Sequence, residues 1–180
     1  MAHLLTGLRL LTVVPAAWAF SRPDRGSAWL LVALVVVAIA TDILDGKVAR
    51  RTGPASARGM LFDHTTDFLF VTGGLTGASV AGLLPAMLPV LIVVAFAQYV
   101  LDSYFLHRQR QLRMSFLGRW NGILYFVPLV MITIAALRVP GLGELARALV
   151  RPFAVLLTVS TVASIVDRAV APLRARHGAR

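Results

Sequence analysis

Four aspartates, Asp42, Asp45, Asp63 and Asp67, lie in or at the ends of two consecutive apolar stretches of a chain that has only eight acidic residues in 180. At about 100° per residue, Asp42, Asp45, Gly46 and Ala49 share an arc of roughly 100° on one helix, and Gly59, Asp63 and Asp67 share roughly 80° on the next. Carboxylates three or four positions apart have Cβ atoms about 5 to 6 Å apart, which suits joint coordination of a hard cation by oxygen. A carboxylate at membrane depth costs a few kcal/mol, so four together need compensation, and metal ions would supply it. Gly46 and Gly59 carry no side chain on those faces, which lets a helix or a ligand come close. The competing reading pairs the acids with Lys47, Arg50 and Arg58 as helix-end salt bridges, but four acids on two matched faces exceed what capping requires.

The elements that must carry these residues are membrane helices. The sequence is 58% hydrophobic with a mean hydropathy of +0.78, well above the apolar share of a soluble domain. Apolar runs bounded by Gly, Pro, Ser and Arg clusters predict helices over 4–20, 27–50, 59–83, 86–107, 117–138 and 148–170. A crossing takes about 20 residues, so the expected fold is all-α, a polytopic integral membrane protein of about six transmembrane helices forming one domain over 1–180. Arg9 inside the first run, and the further runs behind it, make that run a retained helix and not a signal peptide. Six crossings put Arg9, Lys47, Arg50, Arg51, Arg58, Arg108, Arg110, Arg113, Arg119, Arg168 and the C-terminal arginines on one side. Only Arg22, Arg25, Arg138, Arg147 and Arg151 remain on the other, so both termini and the aspartate-bearing end should face the cytoplasm.

Several chemistries drop out. The chain has no cysteine, which removes disulfides and thiolate nucleophiles or ligands. It contains no phosphate-binding glycine loop, dinucleotide turn, zinc-binding histidine pair or serine elbow. The net charge of +10 is scattered between apolar spans instead of forming one basic face, so anionic lipid is the expected partner and nucleic acid is not.

Residues 42–67 run D-I-L-D-G-K-V-A-R, eight further residues, then G-M-L-F-D-H-T-T-D. This resembles the signature of the CDP-alcohol phosphotransferase family, D-x2-D-G-x2-A-R-x8-G-x3-D-x3-D, with every fixed position filled. The resemblance implies that Asp42, Asp45, Asp63 and Asp67 hold one or two Mg2+ or Mn2+ ions on the donor diphosphate and that Asp67 is the general base. It also implies that Gly46, Ala49, Arg50, Ser56 and Gly59 belong to the CDP pocket, that CMP leaves, and that the protein is a homodimer of the cell membrane. Such chemistry needs the charge of a diphosphate neutralised and an in-line attack oriented, which metal ions do and lysine alone does poorly.

The acceptor is less sharply written. Around the last two acids the chain reads F-D-H-T-T-D-F, where bacterial phosphatidylglycerophosphate synthases of the family usually read L-D-P-x-A-D-K. D-G-K-V-A-R-R-T with L-F-D-H-x-x-D is similar to choline and ethanolamine phosphotransferases, which use CDP-choline or CDP-ethanolamine with diacylglycerol. In contrast, L-L-T-G-L-R, with Thr6 and Arg9, and L-G-R-W-N-G, with Arg119, resemble segments of the phosphatidylglycerophosphate synthases. Arg113, Arg119 and His64 are thus candidates to meet the acceptor, and a guanidinium fork favours an anionic one such as glycerol 3-phosphate. The expected activity is transfer of a phosphatidyl group from a CDP-linked lipid to a small alcohol. An intramembrane prenyltransferase also uses aspartates and magnesium, but Gly46, Ala49, Arg50 and Gly59 at these spacings are not its pattern. A transporter would spread its acids over several helices and depths.

Overall fold

The computed structural model describes residues 2–23, 28–52, 57–101 and 116–177, with the side chains of 2–6, 8, 45–52, 57–60, 63, 116 and 171–177 outside that description. Seven α-helices make up these residues: α1 (Ala2–Phe20), α2 (Ala28–Thr52), α3 (Ala57–Val80), α4 (Met87–Leu101), α5 (Phe116–Leu124), α6 (Phe126–Ala136) and α7 (Leu142–His177). The fold is all-α, and two helical stretches, Leu117–Ala136 and Leu142–Val170, are long and apolar enough to cross a membrane. Many large apolar side chains point outward, including Leu11, Val14, Trp29, Val80 and Leu156. An apolar surface of that extent is a surface for lipid.

The α1–α3 pair is the most closely packed in the fold. Gly73 and Gly77, four residues apart on α3, let the backbones approach as small residues do between membrane helices. A Cβ at Gly77 would run into the Ala17 carbonyl, and one at Gly73 would come within 3.2 Å of Val13 Cγ1. Gly77→Ala is therefore expected to force the helices apart and cost about 2 to 3 kcal/mol, read as a fall in thermal midpoint in detergent. Gly7→Ala, which meets nothing within 4 Å, should leave the midpoint unchanged.

Helix ends follow local chemistry. Gly82, with φ of +75°, stops α3; its N–H donates to Ser79 O at 3.0 Å and that of Leu83 to Ala78 O at 3.0 Å. These are the two bonds of a Schellman motif, with Pro85 just beyond. The predicted helix over 117–138 is interrupted at Tyr125, between α5 and α6. The physical reason is Pro128, which lacks an N–H and whose ring crowds the carbonyl of Leu124 four residues earlier. The last helix starts earlier than predicted, at Leu142, because Gly141 with φ of +73° completes the turn. At 36 residues α7 is about 54 Å long, more than a bilayer core requires.

Polar side-chain bonds tie α7 to α4, to α5 and to Tyr125. Gln98 Nε2 donates to Ile165 O at 3.3 Å, Ser160 Oγ donates to Asn121 Oδ1 at 2.7 Å, and the Tyr125 and Thr161 hydroxyls meet at 2.8 Å. Where lipid is as apolar as the core, such bonds fix the register of helices.

Candidate functional site

Two of the predicted metal ligands line one cavity. Asp42 comes from α2, one turn after the buried run Leu31, Leu34, Val35 and Ala38 that seats α2 in the core. Asp67 comes from α3, immediately before Phe68, Phe70 and Val71, which pack into that core. The cavity has a volume of about 790 Å³. His64, Arg119 and Arg168 line it as well, and the remaining wall is mainly apolar, with Val71, Ile92, Phe96, Ile123 and Phe126. Phe68 and Phe96 stack at 4.1 Å between ring centroids and close the wall between α3 and α4.

Asp42 is exposed, whereas the Asp67 side chain keeps 22% of its surface. A largely buried carboxylate needs a partner, and Asp67 has one in Arg9. Arg9 projects from α1, is fully buried, donates from Nη1 to Asp67 Oδ1 and from Nε to Thr41 Oγ1 at 3.1 Å. One guanidinium thus joins the helix carrying Asp42 to the helix carrying Asp67.

The chemistry of the donor set fits a hard divalent cation: two carboxylates open to one cavity offer oxygen ligands only. Among the described residues no group of three or more acidic or histidine side chains is close enough to hold an ion. Asp45 and Asp63 sit one helical turn from Asp42 and Asp67 on the same two helices, and their side chains lie outside the described residues. The same holds for Gly46, Ala49 and Arg50 on α2 and for Gly59 on α3, while Ser56 and Arg113 lie outside the described residues altogether.

Of the predicted acceptor contacts, His64 is half-buried and Arg119 exposed, and both line the cavity. The sequence reading gave Arg168 no role beyond topology. The structure places it on the cavity, half-buried, with its guanidinium carbon 5.4 Å from the centre of the buried Tyr99 ring. The signal was present: a charge inside the apolar run S-I-V-D-R-A-V-A-P-L is seldom idle at membrane depth. Arg9, inside the first apolar run, carried the same signal.

The profile of the CDP-alcohol phosphatidyltransferase family matches residues 1–165. A protein of Streptomyces coelicolor named "Cardiolipin synthase (CMP-forming)" is 28% identical over 139 residues, 73% of this chain and 64% of the relative. The chain thus spans slightly less than two thirds of that protein's length. Proteins of two Mycobacterium tuberculosis strains, each named "Probable phosphatidylglycerophosphate synthase", are 33% identical over 173 residues, 94% of this chain and 81% of the relative. No solved structure matches the chain.

Proposed function

Because the chain belongs to the CDP-alcohol phosphatidyltransferase family, we propose that it is a phosphatidyltransferase acting on CDP-diacylglycerol and a small anionic alcohol, with glycerol 3-phosphate as the acceptor. The observation that carries this reading is the composition of one cavity: Asp42 and Asp67 on it, Arg119 and Arg168 beside them, and an apolar wall completing it. Carboxylates hold cations, guanidinium forks hold a phosphate, and the apolar wall accommodates the lipid portion of the donor and keeps water away. An Mg2+ or Mn2+ ion bound by Asp42, Asp45, Asp63 and Asp67 would neutralise the donor diphosphate. Gly46, Ala49, Arg50, Ser56 and Gly59 would line the pocket for the CDP portion.

In the transfer itself, the acceptor oxygen forms a bond to the phosphorus that carries diacylglycerol, the bond from that phosphorus to CMP breaks, and CMP leaves with the electron pair. Asp67 takes the acceptor's hydroxyl proton. Arg119, Arg168, Arg113 and His64 orient the acceptor. We place the chain as one domain crossing the cell membrane six times, with the cavity and both termini in the cytoplasm, in accord with the arginine asymmetry. The working unit in this reading is a homodimer.

A second reading, in which the acceptor is phosphatidylglycerol and the product cardiolipin, is favoured by the name of the Streptomyces relative. Purified protein with Mg2+ and labelled CDP-diacylglycerol, offered glycerol 3-phosphate, phosphatidylglycerol and neutral alcohols in turn, separates the two by the acceptor that releases CMP. CDP-choline and CDP-ethanolamine with diacylglycerol form the control panel, and a folded sample inactive with both donor classes would contradict the enzymatic reading. Arg168→Gln is expected to raise the KM for glycerol 3-phosphate about tenfold or more while leaving that for CDP-diacylglycerol within about threefold, as loss of a charge-assisted bond to one substrate requires.

A further inference from the structure

Arg9 reaches two helices from a position with no solvent exposure. Its Nε bond to Thr41 ends on the residue that precedes Asp42, and the Thr41 hydroxyl in turn donates to Val37 O at 2.7 Å, which fixes that end of the bridge to the α2 backbone. Its Nη1 bond ends on Asp67. Arginine cannot shed its charge inside a protein, and a buried guanidinium is tolerated only when paired. Asp67 therefore has a fixed monovalent counter-charge of the chain's own.

We infer that Arg9 is a resident counter-cation of the carboxylate cluster, sharing Asp67 with the divalent ion and holding down the affinity for that ion. The inference rests on the metal-binding reading proposed above. Two cations on one carboxylate repel each other strongly where the surroundings are dry and screening is weak. Neutralising the fixed one must tighten the hold on the other. An arginine that served only to brace the helices would have the opposite signature, since its loss would slacken the carboxylates and weaken the ion's binding. The benefit of the arrangement is an acidic cluster that is stable without its ion and an ion that can exchange.

The test is Mn2+ binding to the purified full chain in detergent, read from the electron paramagnetic resonance of free Mn2+. Arg9→Gln is expected to lower the Kd for Mn2+ about tenfold or more, and Arg9→Lys, which keeps the charge, to leave it within about threefold of wild type. In an Asp67→Asn background, adding Arg9→Gln should lower the Kd as well, because repulsion between two cations acts through space and outlasts the carboxylate. The metal-free Arg9→Gln protein should also melt below wild type, and the gap should narrow as Mn2+ is added. An unchanged or raised Kd in Arg9→Gln overturns the inference while leaving the metal site standing. A wild-type chain that takes up no Mn2+ overturns both. Should Arg9→Gln alone fail to fold, the comparison of Asp67→Asn with the double variant decides, and an unchanged or raised Kd there overturns the inference.

Discussion

Asp67→Asn is expected to lower CMP release on the order of 10³-fold or more while CDP-diacylglycerol still binds within a few-fold of the wild-type affinity. A general base contributes about 10² to 10⁴ in rate, and the amide can neither accept the acceptor's proton nor give an anionic oxygen to a cation. The effect belongs in kcat, because the lost interaction is with the transferring proton and the developing charge. Nucleotide binding should survive, since the proposed CDP pocket lies on Gly46, Ala49, Arg50 and Gly59, away from Asp67 along the two helices. Single-turnover kinetics with equilibrium binding of labelled donor separate the two quantities. A variant that turns over at the wild-type rate would remove Asp67 from the chemistry. The asparagine also leaves Arg9 facing a neutral partner, so the thermal midpoint should be compared before the rates are.

Removing the divalent ion is the second large effect. Chelation should take activity below detection, a loss of at least about 10³-fold, with recovery on adding back Mg2+ or Mn2+. In the proposed reading the donor diphosphate brings negative charge toward Asp42 and Asp67, while Arg119 and Arg168, which line the same cavity, meet a phosphate on the acceptor. Without an ion the carboxylates and the diphosphate repel each other, and the donor should also bind less tightly. Ion dependence that appears in both donor affinity and rate distinguishes a cation bridging protein and diphosphate from one that only steadies the fold. Activity that persists undiminished through exhaustive chelation would contradict the metal reading.

The aspartates were legible in the sequence because helical periodicity turns a spacing of three or four into a shared face, whatever the tertiary structure does next. The placing of Asp42, His64 and Asp67 on one cavity follows from that periodicity together with α1, which packs against both α2 and α3. Two cations were harder to place. The sequence suggested that buried acids need compensation and looked for it in metal ions, whereas Arg9, 58 positions from Asp67, supplies part of it. Nothing local marks a pairing over that distance; it depends on α1 packing against α3 through Gly73 and Gly77. Arg168 was one of many arginines assigned to a cytoplasmic end, and only the packing of α7 on α4 and α5 brings it to the cavity. The interruption at Tyr125 follows from Pro128, a signal that acts four residues upstream of where it is written. The early start of α7 shows the limit of turn formers, since Val139, Pro140 and Gly141 make the turn but Leu142 and Gly143 already belong to the helix.

The most direct measurement is an anomalous difference map from crystals of the protein grown with Mn2+ and CDP. A manganese peak is expected bounded by the carboxylates of Asp42, Asp45, Asp63 and Asp67, with the CDP diphosphate on its open side. A peak elsewhere, or four side chains turned toward lipid and away from one another with the nucleotide bound, would contradict it.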